Sequence, residues 1–94
     1  MKKYNKISDL AISLGISKER GQLAEVKSKI TKEIIKFTEL NELTHQELSD
    51  MSGVPRSAIT GIINGSLQKV TLDRLLRILF SLGLNVEMKI KMAA

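Results

Sequence analysis

The chain has 94 residues, a formal net charge of +5 and no cysteine. This length supports one domain with a modest core, and the absence of cysteine excludes disulfides and thiolate metal sites. No apolar run approaches the ~20 residues of a membrane-spanning helix, and no apolar signal-peptide core follows the N-terminal lysines. We therefore expect a soluble, intracellular protein.

The positive charge lies in the N-terminal third of the chain. Residues 1–36 hold nine lysines and arginines against four acidic residues, whereas residues 37–94 hold six against six. Such an excess favours phosphate backbones electrostatically. The alternative is that it reflects the solvated face of a helix, formed by Lys27, Lys29, Lys32 and Lys36.

The first 22 residues are predicted to form a basic segment with a short helix. Ile7, Leu10 and Leu14 follow helical spacing, and Gly15 is suited to end that helix.

A long helix is then predicted from Ser17, a suitable N-cap, to about Leu40. Gly21 weakens its first turns, so we expect its regular part to begin near Gln22. The apolar positions of this helix are Leu23, Val26, Ile30, Ile34 and Phe37.

Residues 43–65, the helix-turn-helix segment, carry the most specific pattern in the chain. Thr44 and Glu47 have the spacing of a capping box, which satisfies the first N–H groups of a helix. Gly53 can end that helix in a left-handed conformation, and Pro55 suits the first turn of the next one. We predict helices at about 45–52 and 56–63. Their inward positions are Leu48, Met51, Ile59, Ile62 and Ile63.

The second of these helices presents small and polar residues outward, which is the layout of a helix-turn-helix whose second helix enters the DNA major groove. Arginine suits a bidentate contact with guanine. The alternative for Arg56 is a phosphate contact, because backbone contacts outnumber base contacts. The predicted base-contacting residues are Arg56, Ser57, Thr60 and Gly61.

A further helix is predicted at 72–82, with Thr71 as its N-cap and Gly83 after its end. It completes a DNA-binding domain spanning residues 23–83.

Residues 84–94, the C-terminal segment, alternate apolar and polar side chains, which is the signal of a strand. Nothing else in the chain resembles a strand, so we expect it to pair with the same segment of a second copy. An antiparallel pair centred near Met88 places Glu87 opposite Lys89 of the other copy. The alternative is a frayed amphipathic tail. The expected dimerisation residues are Val86, Met88 and Ile90.

These patterns resemble the XRE, or lambda-repressor-like, family of DNA-binding domains. The matching residues are Leu43-Thr44, Glu47-Leu48, Gly53-Val54, Ala58-Ile59, Asn64-Gly65, Thr71-Leu72, Leu75, Ile78-Leu79 and Leu82-Gly83. Ser49 and Ser52 depart from the family, which usually has alanine and an aliphatic residue there. We expect Ser49 to fit and Ser52 to weaken or rearrange the turn.

Together with the helix and strand that follow it, the motif is similar to bacterial antitoxins of the HigA type and, more distantly, the HipB type. Weaker matches are Asp9, Leu14-Gly15 and Glu25-x-Lys27. The resemblance implies an all-α bundle of about five helices with a C-terminal strand. It also implies a cytoplasmic, operator-binding repressor that neutralises a toxin, a ribonuclease or a kinase respectively. His45 lies where the family contacts phosphate, and the phosphate-side candidates are Thr44, His45, Gln46, Ser66 and Lys69.

Two other functions remain open, a stand-alone or phage-derived repressor and a protein-interaction module that does not bind DNA. We expect no enzyme, cofactor or metal site. His45 is the only histidine, and no glycine-rich phosphate loop follows a strand.

Overall fold

A computed structural model describes residues 18–92, which form four α-helices and no strand. Helix α1 packs against α4 and α3, while α2 packs against α3 and α4. The helix-turn-helix segment is therefore held on a scaffold formed by the helices before and after it. The bounds are Lys18–Leu40 for α1, His45–Ser52 for α2, Arg56–Ile63 for α3 and Leu72–Ser81 for α4.

All four helices contribute side chains to one hydrophobic core. Leu48, Leu75 and Ile78 have no exposed surface, and burial of each such side chain is worth roughly 1.5–3 kcal/mol. Around them, Ile30, Phe37 and Ile63 are partly buried. The buried apolar residues are Ile34, Leu48, Val54, Ile59, Ile62, Leu75, Ile78, Leu79 and Leu82.

Helix α1 has the extent that was predicted, but its N-terminal turns are more regular than expected. It is already helical at Lys18 and continues through Gly21, since one interior glycine costs only ~1 kcal/mol in a long helix. Of its predicted apolar face, Leu23 and Val26 are each 44% exposed. The part of α1 that packs on the core is further along, around Ile34.

The connection from α1 to α2 contains a residue in the left-handed conformation, which the sequence does not predict. Glu42 has φ +52°, and the N–H of Leu43 donates to the carbonyl of Thr38 at 2.9 Å. This turn satisfies a carbonyl at the end of α1 and directs the chain into the N-cap of α2.

Two predicted positions in the helix-turn-helix segment need correction. Met51 is 48% exposed rather than inward, because Leu48 alone fills the buried side of the short helix α2. Pro55 is the N-cap of α3, with extended ψ of 141°, rather than its first helical residue. Its carbonyl accepts from the N–H groups of Ala58 and Ile59, so it still starts the helix.

The C-terminal segment is not a strand in the described chain. Leu84 is partly buried against the core, and residues 85–92 are exposed without regular secondary structure. A strand requires a neighbouring strand to bond its backbone, and residues 18–92 offer none. The predicted short helix with Ile7, Leu10 and Leu14 lies outside the described residues, so only four of the five expected helices are observed.

None of the helices between residues 18 and 92 combines the length and the apolar character that crossing a membrane would require.

Candidate nucleic-acid interface

The N-terminus of α2 is fixed by the predicted capping box, which the structure confirms. The backbone N–H of Glu47 donates to the Thr44 hydroxyl at 3.0 Å, and the backbone N–H of Thr44 donates to the Glu47 carboxylate at 3.0 Å. Thr44 is exposed and its hydroxyl hydrogen is not used by the cap, so it remains available to a phosphate oxygen. The cap therefore positions Thr44, His45 and Gln46 at the start of one helix.

The turn between α2 and α3 is closed by hydroxyl hydrogen bonds. Gly53 has φ +73° and its N–H donates to the carbonyl of Ser49 at 2.9 Å, as expected for a left-handed helix end. The hydroxyl of Ser49 donates to the carbonyl of Val54 at 2.6 Å. Ser52 donates to the carbonyl of Leu48 at 2.6 Å and accepts from the N–H of Val54 at 3.2 Å.

The two serines that depart from the family pattern thus link the end of α2 to the turn. Ser49 fits, as expected. Ser52 was expected to weaken or rearrange the turn, and the structure instead shows it accepting one backbone hydrogen bond and donating another.

Helix α3 carries the predicted base-contacting residues on the side away from the core. Arg56 and Ser57 are exposed in its first turn, and Thr60 and Gly61 are partly exposed one turn later. Ile59 and Ile62 are buried beneath them.

The surface around Gly61 is open. A Cβ added at this residue would meet no atom within 4 Å. Gly61 is therefore not required by packing within the described chain.

A side-chain hydrogen bond links the two helices of the segment. The Nδ1 atom of His45 in α2 and the hydroxyl oxygen of Thr60 in α3 lie 2.9 Å apart and are hydrogen-bonded. The sequence places each residue at the interface but does not predict this pair, because no local pattern fixes how α2 and α3 cross. His45 also lines a cleft with residues of α1, α3 and the α1–α2 connection, namely Ile35, Thr38, Glu39, Glu42, Leu43 and Ile63.

The remaining phosphate-side candidates lie in two places. The Gln46 amide is exposed beside His45 and donates to Asp50 at 2.9 Å. Ser66 and Lys69 line a shallow depression in the loop after α3, where the N–H of Ser66 donates to the carbonyl of Gly61 at 2.9 Å. Thr44, His45 and Gln46 therefore precede the outward face of α3 in the chain, whereas Ser66 and Lys69 follow it.

The charge of this surface is modest. Arg56 is the only charged residue of α3, and Lys69 adds one positive charge in the following loop. On α1, Lys32 and Lys36 are exposed, and the exposed Lys29 lies 3.8 Å from the partly buried Glu25. Exposure of these lysines fits both interpretations, a surface that attracts phosphates and a solvated helix face.

The predicted dimerisation residues have no packing partner in the described chain that would bury them. Val86, Met88 and Ile90 are 38%, 72% and 87% exposed.

Comparison with known proteins gives one match. The family described as a helix-turn-helix domain covers residues 15–91 of this chain, which includes all four helices. No curated protein and no solved structure matches the chain significantly.

Proposed function

The chain belongs to the helix-turn-helix domain family, and we propose that it is a sequence-specific transcriptional repressor that binds its operator with the outward face of α3. The observation that carries this proposal is the arrangement of Arg56, Ser57, Thr60 and Gly61. They occupy one exposed side of a helix whose other side is buried in the core.

The proposed contacts divide between bases and backbone. Arg56 donates to O6 and N7 of a guanine, the commonest specific contact in the major groove. Gly61 allows the helix to approach the DNA closely, since packing alone would permit alanine there. The groups that bind phosphates are Thr44, His45, Gln46, Ser66 and Lys69.

Selection of duplexes from a random pool tests this proposal directly. The wild-type protein should enrich one sequence, and Arg56→Ala should cost ~1–3 kcal/mol of binding and relax preference at one position. Arg77→Ala removes the same charge from an exposed position of α4 and serves as the matched control. It should leave base preference unchanged.

Two results would contradict parts of this proposal. If Arg56→Ala binds all duplex sequences equally more weakly than the wild type, Arg56 contacts the phosphate backbone rather than a base. Failure to enrich any sequence would favour a protein-interaction module.

Repression of this kind commonly uses a dimer, because two recognition helices meet half-sites one helical turn, ~34 Å, apart. We assign dimerisation to antiparallel pairing of the C-terminal segments through Val86, Met88 and Ile90. The exposure of these alternating apolar residues supports the assignment.

The repressor is proposed to be the antitoxin of a bacterial toxin–antitoxin pair in the cytoplasm, regulating its own operon. Support comes from the resemblance to HigA-type antitoxins. Part of residues 1–30, which includes none of the proposed DNA contacts, is assigned to the toxin, with Ile7, Leu10 and Leu14 as its predicted apolar patch. Within the same range, Leu23 and Val26 are half-exposed. A neighbouring reading frame encoding a small ribonuclease or kinase would support this role, whereas a phage gene cluster would favour a stand-alone repressor.

Removal of residues 1–16 tests the toxin contact when that neighbouring gene is expressed with this one. Loss of growth protection with unchanged operator affinity and melting temperature would support a partner site there. A large fall in melting temperature would show that these residues stabilise the fold, and the toxin would have to bind elsewhere.

A further inference from the structure

The hydrogen bond between His45 and Thr60 connects the phosphate side of the interface to its base side. Only Nδ1 of the ring takes part, at 2.9 Å from the Thr60 hydroxyl oxygen. Among the described residues no buried side-chain nitrogen or oxygen lacks a partner. Nε2, which has no protein partner there, is therefore accessible from outside.

The number of hydrogens shared by His45 and Thr60 determines whether the Thr60 hydroxyl can donate a hydrogen bond to DNA. A phosphate oxygen only accepts, so a ring that contacts phosphate through Nε2 carries a hydrogen on Nε2. In the neutral ring Nδ1 is then an acceptor, and the Thr60 hydroxyl donates its single hydrogen to it. In the protonated ring Nδ1 donates instead, and the hydroxyl hydrogen is released.

We infer that His45 is a positioning residue that sets which bases Thr60 recognises, an inference that rests on the proposed DNA-binding function. With a neutral ring Thr60 can only accept from DNA, which matches the amino groups of adenine N6 and cytosine N4. With a protonated ring Thr60 can also donate, which matches the acceptors of guanine, thymine and the N7 of adenine, but not cytosine. The protonation of one side chain thus changes base preference at one operator position.

The charged groups that line the cleft with His45 are Glu39 and Glu42, at the end of α1 and just after it, while the α3 residues against it, Thr60 and Ile63, are uncharged. Imidazole is the side chain that ordinarily changes charge between about pH 5 and 8, and His45 is the only histidine in the chain.

The test is selection from a random duplex pool at about pH 8 and about pH 5.5, where imidazole changes charge. The position read by Thr60 is the one whose preference disappears in Thr60→Val, which removes the hydroxyl but keeps the shape. At this position the wild type should prefer adenine or cytosine at about pH 8. At about pH 5.5 guanine and thymine should gain on cytosine by roughly two- to tenfold, the effect of one hydrogen bond.

Three variants separate this role from a structural one. Thr60→Ser keeps the hydroxyl and should retain the pH-dependent change. His45→Asn keeps a polar group near the position of Nδ1 and His45→Gln keeps one near Nε2, but neither titrates, so both should show one preference at both pH values. Circular dichroism at each pH checks that all variants are folded.

The inference is overturned if the wild type shows the same preference at both pH values. It is equally overturned if the change persists in His45→Asn and His45→Gln, or if Thr60→Val alters no position. Failure of the wild type to enrich any sequence at either pH would instead remove the DNA-binding proposal itself, and this inference with it.

Discussion

The helix-turn-helix segment and the C-terminal segment both carry clear sequence patterns, yet only the first has a defined structure within one chain. Residues 43–65 are fixed by a capping box, a left-handed glycine and two serine hydroxyls over a buried leucine. Residues 85–92 are exposed and irregular. The backbone N–H and C=O groups of caps and turns form hydrogen bonds with residues nearby in sequence, whereas those of a strand need the backbone of another strand. The proposed dimerisation therefore depends on the C-terminal segment, whereas the helix-turn-helix segment needs no second copy for its structure.

Removing the C-terminal segment tests this difference most strongly. Leu84 packs on the core and its N–H donates to the carbonyl of Leu79 at 3.3 Å, so the chain should end after Leu84. We expect a monomer in sedimentation with unchanged helical circular dichroism. Operator affinity should fall by ~10²–10⁴-fold, because the second half-site contact is no longer linked to the first.

A truncated protein that remains dimeric would refute strand pairing. The dimer interface would then have to lie on a helical surface, such as the one around Phe80, which is 52% exposed.

A matched pair of side-chain truncations separates folding from assembly. Leu48→Ala should lower the free energy of unfolding by about 2–5 kcal/mol, because Leu48 has no exposed surface and a cavity would remain. Met88→Ala should leave monomer stability unchanged, since Met88 is 72% exposed, but should weaken the dimer. Urea denaturation at low protein concentration measures the first effect, and the concentration dependence of sedimentation measures the second.

The same contrast explains how much of the fold follows from sequence. The bounds of α2 and α3, the capping box at Thr44 and the N-cap at Thr71 were predicted and are confirmed, because each depends on residues within a few positions. The extent of α1 agrees with its prediction, whereas the inward position of Met51, the late start of the regular part of α1 near Gln22 and the burial of its N-terminal apolar residues were predicted incorrectly. Helical periodicity indicates an apolar side of a helix but not how far the neighbouring helices extend along it.

In the candidate site, too, the sequence predicts the features that depend on local pattern but not those that depend on how the helices pack. Periodicity correctly places Arg56 and Ser57 on the outward side of α3. The pair formed by His45 and Thr60 could not be predicted, because the residues are 15 positions apart and meet only after the two helices pack. The hydroxyl contacts of Ser52 were also missed, since comparison with the family suggested a packing defect rather than a hydrogen bond.

The role of Ser52 provides a smaller test of the turn. Ser52→Ala leaves the N–H of Val54 without its 3.2 Å partner, and we expect a loss of about 1 kcal/mol in the free energy of unfolding. Ser81→Ala is a suitable control. The Ser81 hydroxyl also donates to a helix carbonyl, that of Ile78, but it lies at the end of α4, far in sequence from the turn. The turn interpretation requires Ser52→Ala alone to reduce operator affinity in addition to stability; equal behaviour of both variants in binding would contradict it.

Gly61→Ala should change stability and DNA affinity in opposite directions. The added methyl group meets no protein atom within 4 Å, and alanine is favoured over glycine inside a helix by roughly 0.5–1 kcal/mol. The melting temperature should therefore rise, by about 4–8 °C for each kcal/mol in a domain of this size. If α3 lies in the major groove with Gly61 against the DNA, the same methyl group must be accommodated there, and affinity for the selected duplex should fall. A Gly61→Ala protein that is more stable and binds as tightly as the wild type would show that this turn of α3 does not approach the DNA closely, and would confine base reading to Arg56 and Ser57.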